Sequence, residues 1–228
     1  MALPAPLAAT DIRRLAEQVR PVALAGERRL PVLPALATLL PGGGLRRGSV
    51  VSVSASTSLA LALMAAASAA GSWCAGVGLS SLGLQAAAEL GVVLERFPLV
   101  ATPRRTGRGG WAWTIAALLD AFDVVLARPP SLGAEDVRRL LARARERGSV
   151  LVLTGGRPSS GVADLELHMV HSAWEGVAQG HGRLRARRME VVVSGRRSGA
   201  PERRCWLWLP GPDGEVAVAE PPRHRRAM

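Results

Sequence analysis

Ser54, Ala55, Ser56, Thr57 and Ser58 stand between two apolar runs, Val50, Val51 and Val53 on one side and a longer run starting at Leu59 on the other. A buried strand that enters a small-residue turn and leaves as a helix is the setting in which proteins hold phosphates. In the pattern G-x-x-x-x-G-K-[ST], backbone N–H groups surround the phosphates and the lysine reaches the outer ones. Here the turn has no glycine and no lysine, and the whole chain lacks lysine. Two chemistries remain open at 54–58: weak anion binding by the helix N-terminus with help from hydroxyls, or a hydroxyl that simply caps the helix.

Arginine is the second chemical resource. Arg183, Arg185 and Arg187 alternate with Leu184 and Ala186, so a strand would place the three guanidinium groups on one face. Arg188, Arg196, Arg197, Arg203 and Arg204 follow, opposed only by Glu190 and Glu202. Such a surface suits a polyanion or an acidic partner; the alternative is a solvated face. Trp206 and Trp208 share another face, open to base stacking or to core packing. A second group, Arg104, Arg105 and Arg108 with Trp111 and Trp113, falls in an Arg/Gly-rich loop and the helix after it. In the helix around Arg138, Arg139, Arg143, Arg145 and Arg147, the acids stand first and the arginines last, which serves the helix dipole. His168 and His171 are expected on opposite faces of a strand, with no Cys or carboxylate at a metal-ligand spacing. His181 sits in a Gly-rich turn, and no Ser–His–Asp arrangement can be read from the order of residues.

The elements that must position these residues follow from patterning. The chain has 228 residues, 48% hydrophobic and 4% aromatic, enough for one α/β domain with a core of Leu, Val and Ala. All 29 basic residues are arginine, and Asn and Tyr are absent, a bias that follows GC-rich codons. Codon usage does not explain the excess over 18 acidic residues, a net charge of +11 that favours polyanionic partners. Cys74 and Cys205 are far apart and form no CxxC, as in a reduced cytoplasmic protein. Asp11, Arg13 and Arg14 do not suit an export signal. Residues 59–79 are long and apolar enough on paper to span a bilayer, but their Ala, Gly and Ser content and the Gly71-Ser72 break favour a buried helix and strand.

Residues 8–19 carry a helical apolar stripe, and a Pro/Arg linker follows; together they form an N-terminal region over 1–35. Strands are expected at 50–54, 74–79, 99–100, 123–126 and 149–154, with helices at 59–70, 84–90, 111–121 and 135–147. Continuous apolar strands alternating with helices imply a parallel sheet covered on both faces. Strands at 165–170, 183–193 and 205–209 lack intervening helices and imply an antiparallel extension. The main domain is thus expected over 36–210, with a basic tail over 211–228.

Over residues 36–195 this order resembles the RecA/RadA ATPase core. Gly48-Ser-Val-Val-Ser-Val resembles the strand that enters the P-loop. Glu89-Leu-Gly-Val-Val-Leu-Glu-Arg-Phe-Pro-Leu-Val resembles a helix end, its turn and the next strand. Phe122-Asp-Val-Val-Leu resembles the strand that normally ends in a metal-associated aspartate. The resemblance implies an α/β, RecA-like core with a mainly parallel sheet flanked by helices, an antiparallel C-terminal extension and a degenerate P-loop. Position by position, the family's catalytic set is missing. Ser80 and Ser81 stand where it has a water-activating glutamate, Ala127 and Arg128 where it has the aspartate, and Gly155 and Gly156 where a polar residue couples nucleotide to DNA. An arginine at a magnesium site repels the metal. A non-enzyme without a cofactor is therefore expected.

More narrowly, the chain resembles the actinobacterial ImuA-type proteins. The resemblance lies in Val32-Leu-Pro-Ala-Leu-Ala-Thr-Leu-Leu-Pro-Gly-Gly-Gly-Leu-Arg-Arg-Gly-Ser, Ala70-Gly-Ser-Trp-Cys-Ala-Gly-Val-Gly-Leu and Trp174-Glu-Gly. It extends to Gly180-His-Gly-Arg-Leu-Arg-Ala-Arg-Arg and Leu207-Trp-Leu-Pro-Gly-Pro-Asp-Gly. The resemblance implies a cytoplasmic accessory protein of damage-induced translesion synthesis. Its partners would be an inactive Y-family polymerase homologue and an error-prone polymerase, with direct DNA contact left open. The same family is likened to SulA, a cell-division inhibitor, and a degenerate nucleotide-binding ATPase is a third expectation.

Overall fold

Valine- and leucine-rich runs of four or five residues become the central strands, because a strand covered on both faces must be apolar on both. The computed structural model describes residues 29–101, 108–155, 162–178, 181–195 and 202–222. In chain order these hold β1 (Arg29–Pro31), α1 (Pro34–Ala37), β2 (Gly44–Arg46), β3 (Val50–Ser54), α2 (Thr57–Ala69), β4 (Cys74–Val77), α3 (Leu84–Glu89) and β5 (Leu99–Val100). There follow α4 (Arg108–Leu119), β6 (Val124–Ala127), α5 (Ala134–Arg147), β7 (Val150–Thr154), β8 (Leu165–Ala178), β9 (His181–Ser194), β10 (Arg203–Trp208) and β11 (Ala217–Val218).

Among the described residues, nine strands form one sheet in the order β11-β10-β9-β8-β3-β7-β6-β4-β5. From β8 to β5 every neighbouring pair is parallel, and β9, β10 and β11 continue antiparallel. This is an α/β fold, a mainly parallel sheet flanked by helices with antiparallel C-terminal strands, consistent with a RecA-like core. Two apolar clusters cover its faces. One gathers α1, α2, the β1–β2 hairpin and the inner side chains of β8–β10. The other gathers α4 and α5 against β3, β4, β6 and β7.

The apolar run at 59–79 resolves as core. Leu59 to Ala65 of α2 are all buried, as befits a helix that is apolar all round. At 13 residues α2 is about 20 Å long, and no described helix is long and apolar enough to cross a membrane. The element bounds move at both termini. Residues 29–31, expected in a linker, pair with Gly44–Arg46 because Leu30 has a buried place against the core. Ala217–Val218, expected in the tail, pair with β10, and Ala219 is buried beside them. The helical stripe at 8–19 lies outside the described residues.

Polar groups tie the amino-terminal edge of the parallel strands. Arg47 Nη1 donates to Asp123 Oδ1 at 2.8 Å, and Asp123 Oδ2 accepts from the Trp73 N–H at 3.0 Å. The Val50 N–H donates to Asp164 Oδ2 at 3.0 Å, which sets β8 beside β3. The opposite, carboxyl edge is thereby left to the loops, where open α/β sheets place their ligands.

Candidate functional site

At the carboxyl edge β3 ends at Ser54 and α2 begins at Thr57, so Ala55 and Ser56 alone connect them. Ala55 has φ of 62°, the left-handed turn that swings the chain from strand to helix. Ser56 is the N-cap: its Oγ accepts from the Leu59 N–H at 3.1 Å and lies 3.1 Å from Ser58 Oγ. Ser56 thus caps α2, as one of the two chemistries open in the sequence requires. A loop that wraps phosphate must turn several successive N–H groups inward; a two-residue connection has too few.

Ser54 is held from the neighbouring strand. Its Oγ lies 2.8 Å from His168 Nδ1, and His168 Nε2 lies 3.5 Å from Glu166 Oε2. This hydroxyl–imidazole–carboxylate series is invisible in residue order, because it depends on the β3–β8 register that sets Ser54 opposite His168. It ties the end of β3 to β8, which runs on past it to Ala178. A cavity of about 620 Å³ lies elsewhere, between Leu33, Ala35, Leu90, Val216 and Val218.

The remaining carboxyl-edge residues gather on the neighbouring strands. Ser80 and Ser81 are exposed just beyond β4, and Arg128 follows β6 with its N–H donating to the Val77 carbonyl at 3.0 Å. Gly155 follows β7 with φ of 87°, beneath the stem of Arg128. The fold therefore brings residues 54–58, 80, 81, 128 and 155 to one edge. Their side chains offer hydroxyls and a guanidinium, and no carboxylate for a cation. Among the described residues no cluster of His, Cys, Asp and Glu could hold a metal.

The arginines divide by partner. β8 and β9 form a long hairpin of 14 residues each, whose outer part, 170–177 with 181–185, is exposed. Arg188 is held by Glu175 at 2.9 Å and lies 4.5 Å above the Trp208 ring. Arg204 is paired with Glu202 and Glu190, and Arg203 donates to the Thr38 and Leu40 carbonyls. These three are structural. Arg183 and Arg185 are exposed, and Arg185 crosses Gly176, where a side chain would collide with it. Arg187 donates to Ser172 Oγ at 2.7 Å, contacts Met169 Sδ and stands 5.7 Å over Trp174. Partial burial pushes its guanidinium pKa down. Among the described residues no carboxylate pairs with Arg183, Arg185 or Arg187. Arg104, Arg105, Arg196 and Arg197 lie outside the described residues, and Arg108 enters only as the first residue of α4.

One expectation about faces changes. A register shift between Met169 and His171 leaves Val170 as an extra residue. His168 then pairs with Val192 and His171 with Glu190, so the two histidines share a face. Trp206 and Trp208 point away from the core, which takes Leu207 instead. Trp206 stacks on His171, with centroids 6.3 Å apart and planes 5° from parallel.

A family model described as the MT3502 N-terminal domain matches residues 38–159, more than half of the 228 residues. The chain belongs to this family. The segment matched to the MT3502 N-terminal domain runs from the turn before β2 through β7, so it contains the whole carboxyl-edge group and ends before the β8–β9 hairpin. No curated protein matches the chain.

Proposed function

We propose that this protein is a non-catalytic, RecA-like adaptor in DNA-damage-induced mutagenesis, of the ImuA type. It bridges an inactive Y-family polymerase homologue and an error-prone polymerase, and touches DNA itself. The observation that carries this reading is the two-residue connection between β3 and α2, with Ser56 used as a helix cap. A RecA-like sheet with a closed phosphate turn supports a role in holding partners over one in nucleotide turnover. Arg183, Arg185 and Arg187 of the β8–β9 hairpin, which pair with no described carboxylate, supply a surface for that role, and the ImuA-type segments quoted above supply the biological setting.

Deletion of the gene is expected to abolish damage-induced mutagenesis after ultraviolet exposure, and the tagged protein is expected to co-purify with a Y-family-like partner. Normal mutation in the deletion strain sinks the reading. Filamentation on overexpression with an unchanged mutation rate replaces it by a cell-division inhibitor. Calorimetric titration with Mg-ATP is expected to be flat, and to stay flat in Ser56→Lys, because a lysine cannot restore a loop that is too short.

A further inference from the structure

We infer that the outer β8–β9 hairpin is a contact for single-stranded nucleic acid, with Trp174 as a base-stacking platform and Arg183, Arg185 and Arg187 as phosphate ligands. The inference rests on the nucleic-acid contact within the adaptor reading, and is independent of polymerase bridging.

Three observations converge. The first is charge without counter-charge. Outside the hairpin, Arg139, Arg143, Arg147 and Arg204 each meet a carboxylate. The hairpin's own Glu175 is taken by Arg188 from the other face. Arg183, Arg185 and Arg187 are left as a local group of three positive charges that no described carboxylate pairs.

The second is the state of Arg187. Its partners are a hydroxyl, a thioether and an indole ring, and burial already strips part of its water. A partly desolvated guanidinium gains more from an arriving anion than a fully hydrated one does.

The third is Trp174 itself. Its ring is 45% exposed on a strand, and Arg187 backs it while anchored to Ser172 and Met169. A large aromatic face fixed beside unpaired cations offers what an unpaired base and its phosphates need, stacking together with backbone neutralisation. An acidic protein segment would use the cations and leave the ring face without a planar partner.

The test uses the full chain and a fluorescein-labelled 20-nucleotide oligo-dT, read by anisotropy across a salt series. Binding is expected at low salt, weakening as salt rises. Each phosphate contact on a single strand contributes about 0.7 to the log–log salt slope. Arg183→Ala–Arg185→Ala is therefore expected to lower that slope by about 1.4. Trp174→Ala is expected to weaken binding roughly tenfold with little change in slope, as loss of a stacked base does. Arg138→Ala–Arg139→Ala, on α5 and away from the hairpin, serves as the charge control and is expected to bind as the parent does. The inference is overturned if the parent shows no binding at low salt or if the control double variant loses as much as the hairpin variants. It is equally overturned if a duplex of the same length binds as tightly, or if poly-aspartate competes as well as unlabelled oligo-dT. Far-ultraviolet circular dichroism of each variant separates loss of contact from loss of fold. A failed binding test beside intact damage-induced mutagenesis removes the DNA contact from the adaptor reading and leaves its polymerase bridging standing.

Discussion

The stem of Arg128 crosses Gly155, with its Cγ 2.7 Å and its Nε 3.0 Å from the point that a β-carbon on residue 155 would occupy. The two residues end neighbouring parallel strands, so the long side chain of one roofs the bare backbone of the other. Gly155 also has φ of 87°, a conformation costly for any residue with a side chain. Gly155→Ala is therefore expected to destabilise the protein by about 1–3 kcal/mol, read as a lower urea midpoint at unchanged slope. Because Arg128 is exposed and can swing aside, Arg128→Ala in the same background should recover less than half of the loss. Full recovery would mean that collision, and not backbone strain, sets the cost.

Cys74 provides a pH prediction. Burial first, and then the neighbouring Asp123, push its thiol up to about 12 from an ordinary value of 9.0. An unfolded chain loses this proton near 9, while the folded chain holds it to about 12. The native state thus binds more protons across that window, and stability must fall as pH rises through it. The expected slope is about 1.4 kcal/mol per pH unit between those limits, levelling above the upper one. Cys205, raised by burial in the same direction, adds to it. Denaturant midpoints between neutral and strongly alkaline pH should show the decline, and Cys74→Ala should flatten most of it.

Arg47 and Asp123 give the third test. Their side chains are 12% and 9% exposed, and together they link the entry to β3 with the start of β6. Removing one partner leaves a buried charge alone, a loss of about 3–5 kcal/mol. Arg47→Ala and Asp123→Ala should each show it in chemical denaturation. Arg47→Met combined with Asp123→Leu should cost less than the sum of the single changes, since no unpaired charge remains.

The alternation of apolar runs with helical stripes was sufficient to read the sheet and its flanking helices. Val50, Val51 and Val53, or the five apolar or β-branched residues of β7, have few other ways to be buried. The charged helix at 135–147 was equally plain, and the structure shows Val137, Leu140, Leu141 and Ala144 as the side it buries. The termini were less legible. Leu30 stands between Arg29 and Pro31, Ala219 ends a short Val-Ala-Val-Ala run between Glu215 and Glu220, and only the presence of a core to receive them decides that they join it.

The site divides in the same way. Residue types alone determined that the side chains at 54–58, 80, 81, 128 and 155 include no lysine and no carboxylate, and of the two only lysine, absent from the whole chain, could not be brought there by folding. Tertiary structure alone decided what those positions do instead. The β3–β8 register set His168 against Ser54, and a single extra residue at Val170 moved His171 onto the face of His168. Pairing between distant residues likewise decided which described arginines meet a carboxylate. Arg183, Arg185, Arg187 and Arg188 look alike along the chain, yet Glu175 neutralises Arg188 while Trp174 and Ser172 leave Arg187 without an anion. A local pattern specifies which face a side chain takes. The partner waiting on that face comes from a strand brought alongside by the fold.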